Sequence, residues 1–180
     1  FRPSRFAAEF EYLRLNDINL TIHAGEADGL DSIREAVHLC GARRLGHGVR
    51  IIEDLTPADD GSYRLGGLAG FIRDHRIPLE VCPTSNLQTG IAEQIADHPI
   101  GVLYRQGFKI TVSCDNRLMS RTSLSREFAL LSEAFGWGID DVERITVDAM
   151  TAAFLPYDQR VALIEGIIKP AYAAARLELR

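Results

Sequence analysis

The stretch NLTIHAGEADG, Asn19–Gly29, decides how the rest of the chain is read. Leu20, Thr21 and Ile22 favour a strand and run directly into His23, and Gly25 separates that histidine from Glu26. A buried strand has little use for an imidazole or a carboxylate, because burying either without a partner is costly. A strand that opens on a reactive site has use for both. The expectation is a strand over 20–23, followed by a loop that carries chemistry.

Working outward, helical and strand periods alternate. Phe6, Ala7, Phe10 and Leu13 keep helical spacing, which predicts a helix ending near Asn16–Asp17. Ser32 and Glu35 stand at capping-box spacing, opening a helix with Ile33, Ala36, Val37 and Cys40 on one face and Gly41 as its stop. RLGHGVRI (44–51) reads as a strand and its exit, and GGLAGFIRDHR (66–76) as a helix. IPLEVCP (77–83) is a strand with Pro78 near its start, where a missing donor is tolerated. TGIAEQIADHP (89–99) reads as helical, and FKITVSCD (108–115) as a β-branched strand. Leu124, Phe128, Leu131 and Phe135 form a helical stripe closed by Gly136. Asp140 and Glu143 open a further helix in capping-box fashion, and a last helix runs from about Tyr157.

Strands that alternate with helices imply a parallel sheet with right-handed crossovers. A G-x-G-x-x-G loop would favour an open doubly wound sheet, and the sequence has none. The other candidate, a (β/α)8 TIM barrel, needs eight strand–helix units and typically ~250 residues. The pattern supplies four units and a leading helix. The fold class expected is therefore α/β, half of a (β/α)8 barrel, with residues 1–180 as the carboxyl-terminal part of one catalytic barrel domain.

Composition narrows the partners. The 180 residues are 46% hydrophobic and 25% charged, and 20 Lys and Arg against 25 Asp and Glu leave a net charge of −5. That balance argues against a nucleic-acid backbone as ligand. The one tight basic cluster, Arg43–Arg44, is expected to be a solvated helix end. No apolar run approaches the ~18 residues of a membrane helix, and no signal-peptide pattern is present. Cys40, Cys82 and Cys114 are isolated, which indicates neither disulfides nor a cysteine zinc site and suits a cytoplasmic location. Phe1 falls in the middle of an amphipathic pattern, so the start reads as a cut.

The strand ends share a character. The first delivers His23 and Glu26, the second His47 within GHG, the third CPTSN and the fourth Asp115–Asn116. In α/β folds the carboxyl ends of parallel strands face one crevice, where reactive groups gather. Histidine nitrogen and aspartate oxygen suit a divalent metal, zinc first, and an open zinc site activates water near neutral pH. Glu26, past a glycine, suits a proton carrier better than a second ligand on a helix face. His47, between Gly46 and Gly48, is expected to leave room for close substrate approach and to act as a base or orienting group. Each residue has a plainer reading when taken singly. His23 and His47 serve as loop residues, Glu26 as a solvated carboxylate and Asp115–Asn116 as the start of a turn. The repetition at four strand ends favours a metal-dependent site. His38, His75 and His98 are expected on the surface, Cys82 and Cys114 as small buried hydrophobes, and Trp137 packed after its helix stop.

TIHAGE, RLGHGVRI, VCPTSNLQTG and ITVSCDNRLMS occur in an order and spacing that resemble the adenosine deaminases, from about Ser4 to the last helix. DNRLMS is similar to a bacterial, actinobacterial branch. The resemblance implies a (β/α)8 barrel with one zinc, His23 and Asp115 as ligands, and Glu26 as the acid that protonates purine N1. It implies that His47 orients or deprotonates the attacking water, and that adenosine and 2′-deoxyadenosine lose ammonia at C6. Many members carry a second aspartate at the position of Asn116, where a donor meets purine N7. An asparagine amide donates there without needing a raised pKa. The family's remaining zinc ligands form an H-x-H motif on its first strand, and this sequence has no H-x-H. The implied partners are a purine nucleoside and the missing amino-terminal half of the barrel, with a homo-oligomer also admitted. Two alternatives stand beside the enzyme half, a non-catalytic module that pairs half-barrels and a deaminase of another aminopurine such as adenine.

Overall fold

The computed structural model describes residues 2–179; Phe1, where the sequence reads as cut, and Arg180 lie outside them. The elements run α1 (Ala7–Leu15), β1 (Thr21–Ala24), α2 (Leu30–Arg34), β2 (Arg44–His47), β3 (Leu55–Pro57), β4 (Tyr63–Leu65) and α3 (Gly67–Asp74). There follow β5 (Leu79–Val81), α4 (Pro83–Gln88), α5 (Ile100–Arg105), β6 (Ile110–Val112), α6 (Arg117–Ser120) and α7 (Leu124–Phe135). The chain closes with α8 (Ile139–Ala152), α9 (Tyr157–Leu163) and α10 (Lys169–Glu178).

The strands β1, β2, β5 and β6 form one parallel sheet in that order. Register aligns Ile22, Leu45, Leu79 and Ile110 in one row across it. All are buried, under a layer that includes Ile33 and Ala36 after β1, Ile72 of α3, Leu103 of α5 and Leu131 of α7. Each fully buried aliphatic side chain contributes about 1.5–3 kcal/mol, so this row and its helical cover hold the sheet. The next row, His23, Gly46, Glu80 and Thr111, points to the opposite face. There Thr21 and His23 are exposed, and Arg44 ion-pairs with Glu80 at 3.0 Å. Neither β1 nor β6 has an outer strand partner among the described residues. Four parallel strands alternating with helices, covered on one face and open on the other, make the half-barrel the alternation predicts.

Several local expectations need correction. Ser32 does not cap its helix: α2 starts at Leu30 after Gly29, and Ser32 Oγ instead accepts the Gly25 N–H at 2.9 Å. That helix passes into a π-turn over Glu35–Leu39. Residues 89–99 are not one helix, since a 3-10 turn at Ile95–Asp97 and Pro99 delay α5 to Ile100. The CPTSN stretch, placed at the end of the third strand, starts α4 with Pro83 at a first-turn position, where the missing N–H is harmless. An antiparallel hairpin, β3–β4, interrupts the path from β2 to α3 and was not foreseen. Asp141 rather than Asp140 accepts the Gly138 N–H at the start of α8, at 2.9 Å. Arg43 and Arg44 are not a helix end, because Arg44 begins β2 and lies 3.7 Å over the Phe154 ring. Cys114 falls beyond β6 and is only half-buried, whereas Cys82 is buried and its thiol is pushed up to about 12, chiefly by burial. Trp137 packs as expected.

Candidate active site

The carboxyl ends of β1 and β2 are built on three close contacts. Gly25 has φ +68°, and a Cβ there would stand 2.4 Å from Ile33 Cδ1. A Cβ on Gly46 would stand 2.6 Å from His23 Cδ2, so Gly46 is the floor on which the His23 ring lies. A Cβ on Gly48 would meet Leu79 Cδ2 at 2.7 Å. The glycines around His47 therefore make room for the protein's own His23 and Leu79, which corrects the expectation of space for substrate.

His47 is itself left-handed at φ +64°, and Gly48 N–H donates to Gly46 O at 3.0 Å across it. A non-glycine residue in that region costs on the order of 1–3 kcal/mol and persists only where its surroundings fix it. Here they do. His47 is 2% exposed, and its ring meets the His23 ring edge-on at 4.9 Å between centroids. Asn86 Nδ2 lies 3.1 Å from His47 Nδ1 and 3.2 Å from Glu26 Oε1, and His47 Nε2 lies 3.3 Å from Glu26 Oε2. Glu26, His47 and Asn86 thus close a hydrogen-bonded ring. Thr89 Oγ1 donates to Glu26 Oε1 at 3.1 Å, and Arg50 donates to the Glu26 carbonyl.

The direction of these bonds is set from the backbone. Ile100 N–H donates to His98 Nδ1 at 3.0 Å. Burial holds the His98 pKa at about 4, so the ring is neutral at pH 7 and its proton sits on Nε2. That proton faces Asn86 Oδ1 at 3.3 Å, which turns the Asn86 Nδ2 toward His47 and Glu26. His47 Nδ1 then accepts and Nε2 donates to the Glu26 carboxylate. Burial lowers the His47 pKa, opposed by the charge of Glu26, so this imidazole too is favoured neutral.

Asp115, three residues beyond β6, has φ +54° and accepts the Ser85 hydroxyl at 2.8 Å. It shares with His23, His47 and Glu80 a cleft of about 210 Å³ on the open face of the sheet. Asn116 lies outside that lining. Its Oδ1 accepts the Met119 N–H at 3.0 Å as the cap of α6, which leaves the amide nitrogen as the group available to donate elsewhere.

The donor atoms of His23, Glu26 and His47 all lie within 4.8 Å of one another. Both nitrogens of His47 face partners, whereas those of His23 have no hydrogen-bond partner among the described residues. An exposed imidazole with an uncommitted nitrogen and a carboxylate across the cleft fit two positions of a zinc site. A catalytic zinc takes three protein ligands, so a third has to come from outside this pair.

Comparison with known proteins agrees with this geometry. The adenosine deaminase family model matches residues 1–170. The chain belongs to the adenosine deaminase family. It is 56% identical over 178 residues to adenosine deaminase 1 of Streptomyces coelicolor, covering 99% of this chain and 45% of that one. The chain thus spans about half the length of the curated relatives it matches. Among solved structures, a zinc-bound cog1816 amidohydrolase from Burkholderia ambifaria superposes with a TM-score of 0.83 at 22% identity, over 99% of this chain and 48% of that one. An adenine deaminase from Arthrobacter aurescens superposes with a TM-score of 0.81 at 20% identity, over 94% of this chain and 49% of that one. These two likenesses bear on the fold.

The structure brings His23, Glu26, His47 and Asp115 to one end of the sheet, as their positions after strands predict. Sequence reasoning missed Ser85, Asn86 and Thr89, although all lie in or beside the CPTSN segment that it placed at a strand end. It also placed His98 on the surface, whereas His98 is 2% exposed and bonded to Asn86. The HP dipeptide at 98–99, ahead of a short apolar helix, was the available signal. His38 and His75 are exposed, as expected.

Proposed function

We propose that this chain forms the carboxyl-terminal part of a single zinc-dependent adenosine deaminase barrel, completed by an amino-terminal half. The complete protein hydrolyses adenosine and 2′-deoxyadenosine to inosine and 2′-deoxyinosine with release of ammonia, in cytoplasmic purine salvage. Among the described residues no helix is long and apolar enough to cross a membrane. The observation that carries the reading is the Glu26–His47–Asn86 ring closed beside the uncommitted His23.

In this reading His23 and Asp115 hold the zinc, with further ligands from the other half. Zinc, when bound, supplies Lewis-acid activation of water near neutral pH. Neutral His47, wedged between Asn86 and Glu26, orients the attacking water. Its Nε2 proton passes across the 3.3 Å contact to the Glu26 carboxylate, which gives it to purine N1, and one proton of the water replaces it on the imidazole. The water oxygen adds to C6, and its second proton then passes to the C6 amino group, which leaves as ammonia as the C6 carbonyl forms. Asn116 donates its amide hydrogen to N7. Ser85 keeps Asp115 in place, and Thr89 with Asn86 fixes one oxygen of Glu26 so that the other faces His47.

The test is zinc content and ammonia release from the full-length protein with adenosine, 2′-deoxyadenosine and adenine as substrates. One zinc per polypeptide, with turnover of both nucleosides lost in His23→Ala and Asp115→Ala, is the expected result. Preferred turnover of adenine would replace the substrate. The unpaired edges of β1 and β6 favour a second reading, a half-barrel that pairs with a copy of itself. A stable dimer without zinc or turnover would bring that reading forward.

A further inference from the structure

The opposite end of the sheet carries an excess of positive charge that the site above does not use. Asn19, Arg43, Pro78 and Lys109 each stand just before one of the parallel strands β1, β2, β5 and β6. With Arg76, Arg160 and the segment 151–155 they line a cavity of about 240 Å³. No carboxylate is in that lining. Outside the lining, Asp148 of α8 ion-pairs with Arg76 at 3.7 Å. Four cations against one carboxylate repel one another, and the amino-terminal end of a barrel ordinarily serves stability alone.

Two of the four are held by the backbone. Arg76 Nη1 donates to Gly107 O at 2.6 Å, and Arg160 Nη1 donates to Thr151 O. Those bonds account for where the guanidinium groups stand without using all their donors. Arg160 Nε is buried with no hydrogen-bond partner, a group that ordinarily finds one. The side chains of Arg43 and Lys109 make no hydrogen bond or ion pair among the described residues. Burial lowers the Lys109 pKa, with Arg76 and Arg160 adding to the effect and Asp148 opposing it. An anion in the cavity would satisfy Arg160 Nε and offset all of these charges at once.

We propose that this cavity binds a phosphoryl anion, either inorganic phosphate or the phosphate end of a nucleotide, through Arg43, Lys109 and Arg160. Its volume lies below the ~300 Å³ from which pockets enclose drug-sized ligands, which suits one or two phosphoryl groups. Planar guanidinium forks and an ammonium are the donors that phosphate recognition uses. The site stands on this chain's own residues and does not depend on the deaminase reading.

Calorimetric titration of the full-length protein with inorganic phosphate, pyrophosphate and AMP at low ionic strength tests it. Saturable phosphate binding that weakens at least about tenfold in Lys109→Gln and in Arg160→Gln is expected, with circular dichroism unchanged. Arg160 also anchors Thr151, so Arg43→Gln, at an exposed position, is the variant that leaves the fold intact and should weaken binding in the same direction. AMP binding more tightly than phosphate, and losing that advantage in Lys109→Gln, identifies a nucleotide. Equal affinities identify free phosphate. Absence of saturable phosphate binding, or binding indifferent to all three substitutions, overturns the proposal.

Discussion

On one face of the parallel sheet Ile22, Leu45, Leu79 and Ile110 lie side by side beneath helices, and on the other His23, Gly46, Glu80 and Thr111 occupy the adjacent register. The same strands supply both rows, one residue apart. The first row contains only aliphatic carbon and is held by volume. The second contains an imidazole, a carboxylate, a hydroxyl and one position kept empty of side chain, and it is held by specific contacts. Stability and chemistry are therefore separated by the parity of the strand, and substitutions on the two sides should fail in different ways.

The largest expected effect lies on the chemical side. Glu26→Gln keeps the shape and the Asn86 and Thr89 contacts but removes the transferable proton. In the full-length protein it should lower adenosine turnover by about 10²–10⁴-fold and leave the unfolding midpoint nearly unmoved. Steady-state kinetics beside a thermal melt would separate the two; full turnover would end the role given to Glu26. Leu45→Ala tests the other face. Truncation of this fully buried side chain should reduce stability by about 2–5 kcal/mol in denaturant unfolding, with KM for adenosine unchanged in the folded fraction. A shift in KM with little loss of stability would contradict the division of the sheet.

His98 sits behind the chemical side but answers to burial. Its folded pKa of about 4 lies below the unfolded value of 6.5, so the unfolded chain binds more protons between those limits. Its contribution is complete above pH 6.5 and is lost as pH falls toward 4, by up to about 3 kcal/mol. His98→Gln should flatten that part of the stability profile, measured by unfolding at a series of pH values. An unchanged slope would mean that His98 does not titrate in this window. The smallest effect is expected from Thr89→Val, which removes one of two donors to Glu26 Oε1. A loss of about 1 kcal/mol, near fivefold in turnover, should appear in kcat and not in the thermal midpoint.

Much of this was legible because it rests on period and position. Alternation located the four parallel strands, and the residues following them located His23, Glu26, His47 and Asp115. The hairpin of β3 and β4 escaped because each strand is three residues long, too short for any period, with ADDGS between them. The start of α4 escaped because CPTSN follows a strand without a cap signal, and Pro83 reads as a break until it is seen in the first turn. The burial of His98 and the role of Gly46 follow from contacts 12 and 23 residues distant in the chain, with Asn86 and His23, which no local pattern encodes. Strict alternation would place His47 with Leu45, and the left-handed turn at His47 that ends the strand is a tertiary feature.

That turn has a counterpart at Asp115, and together they imply something about inheritance. Asp17, Arg76 and Arg121 are also left-handed, but each follows the end of a helix, where such a stop is routine. Asp115 is a strand-end aspartate, exposed and held mainly by Ser85, and glycine would adopt its φ of +54° with less strain. A lineage freed from its reaction and selected only for thermal endurance should drift to glycine at 115 before it loses any of the aliphatic row. The aspartate would then persist only where something besides endurance is being selected.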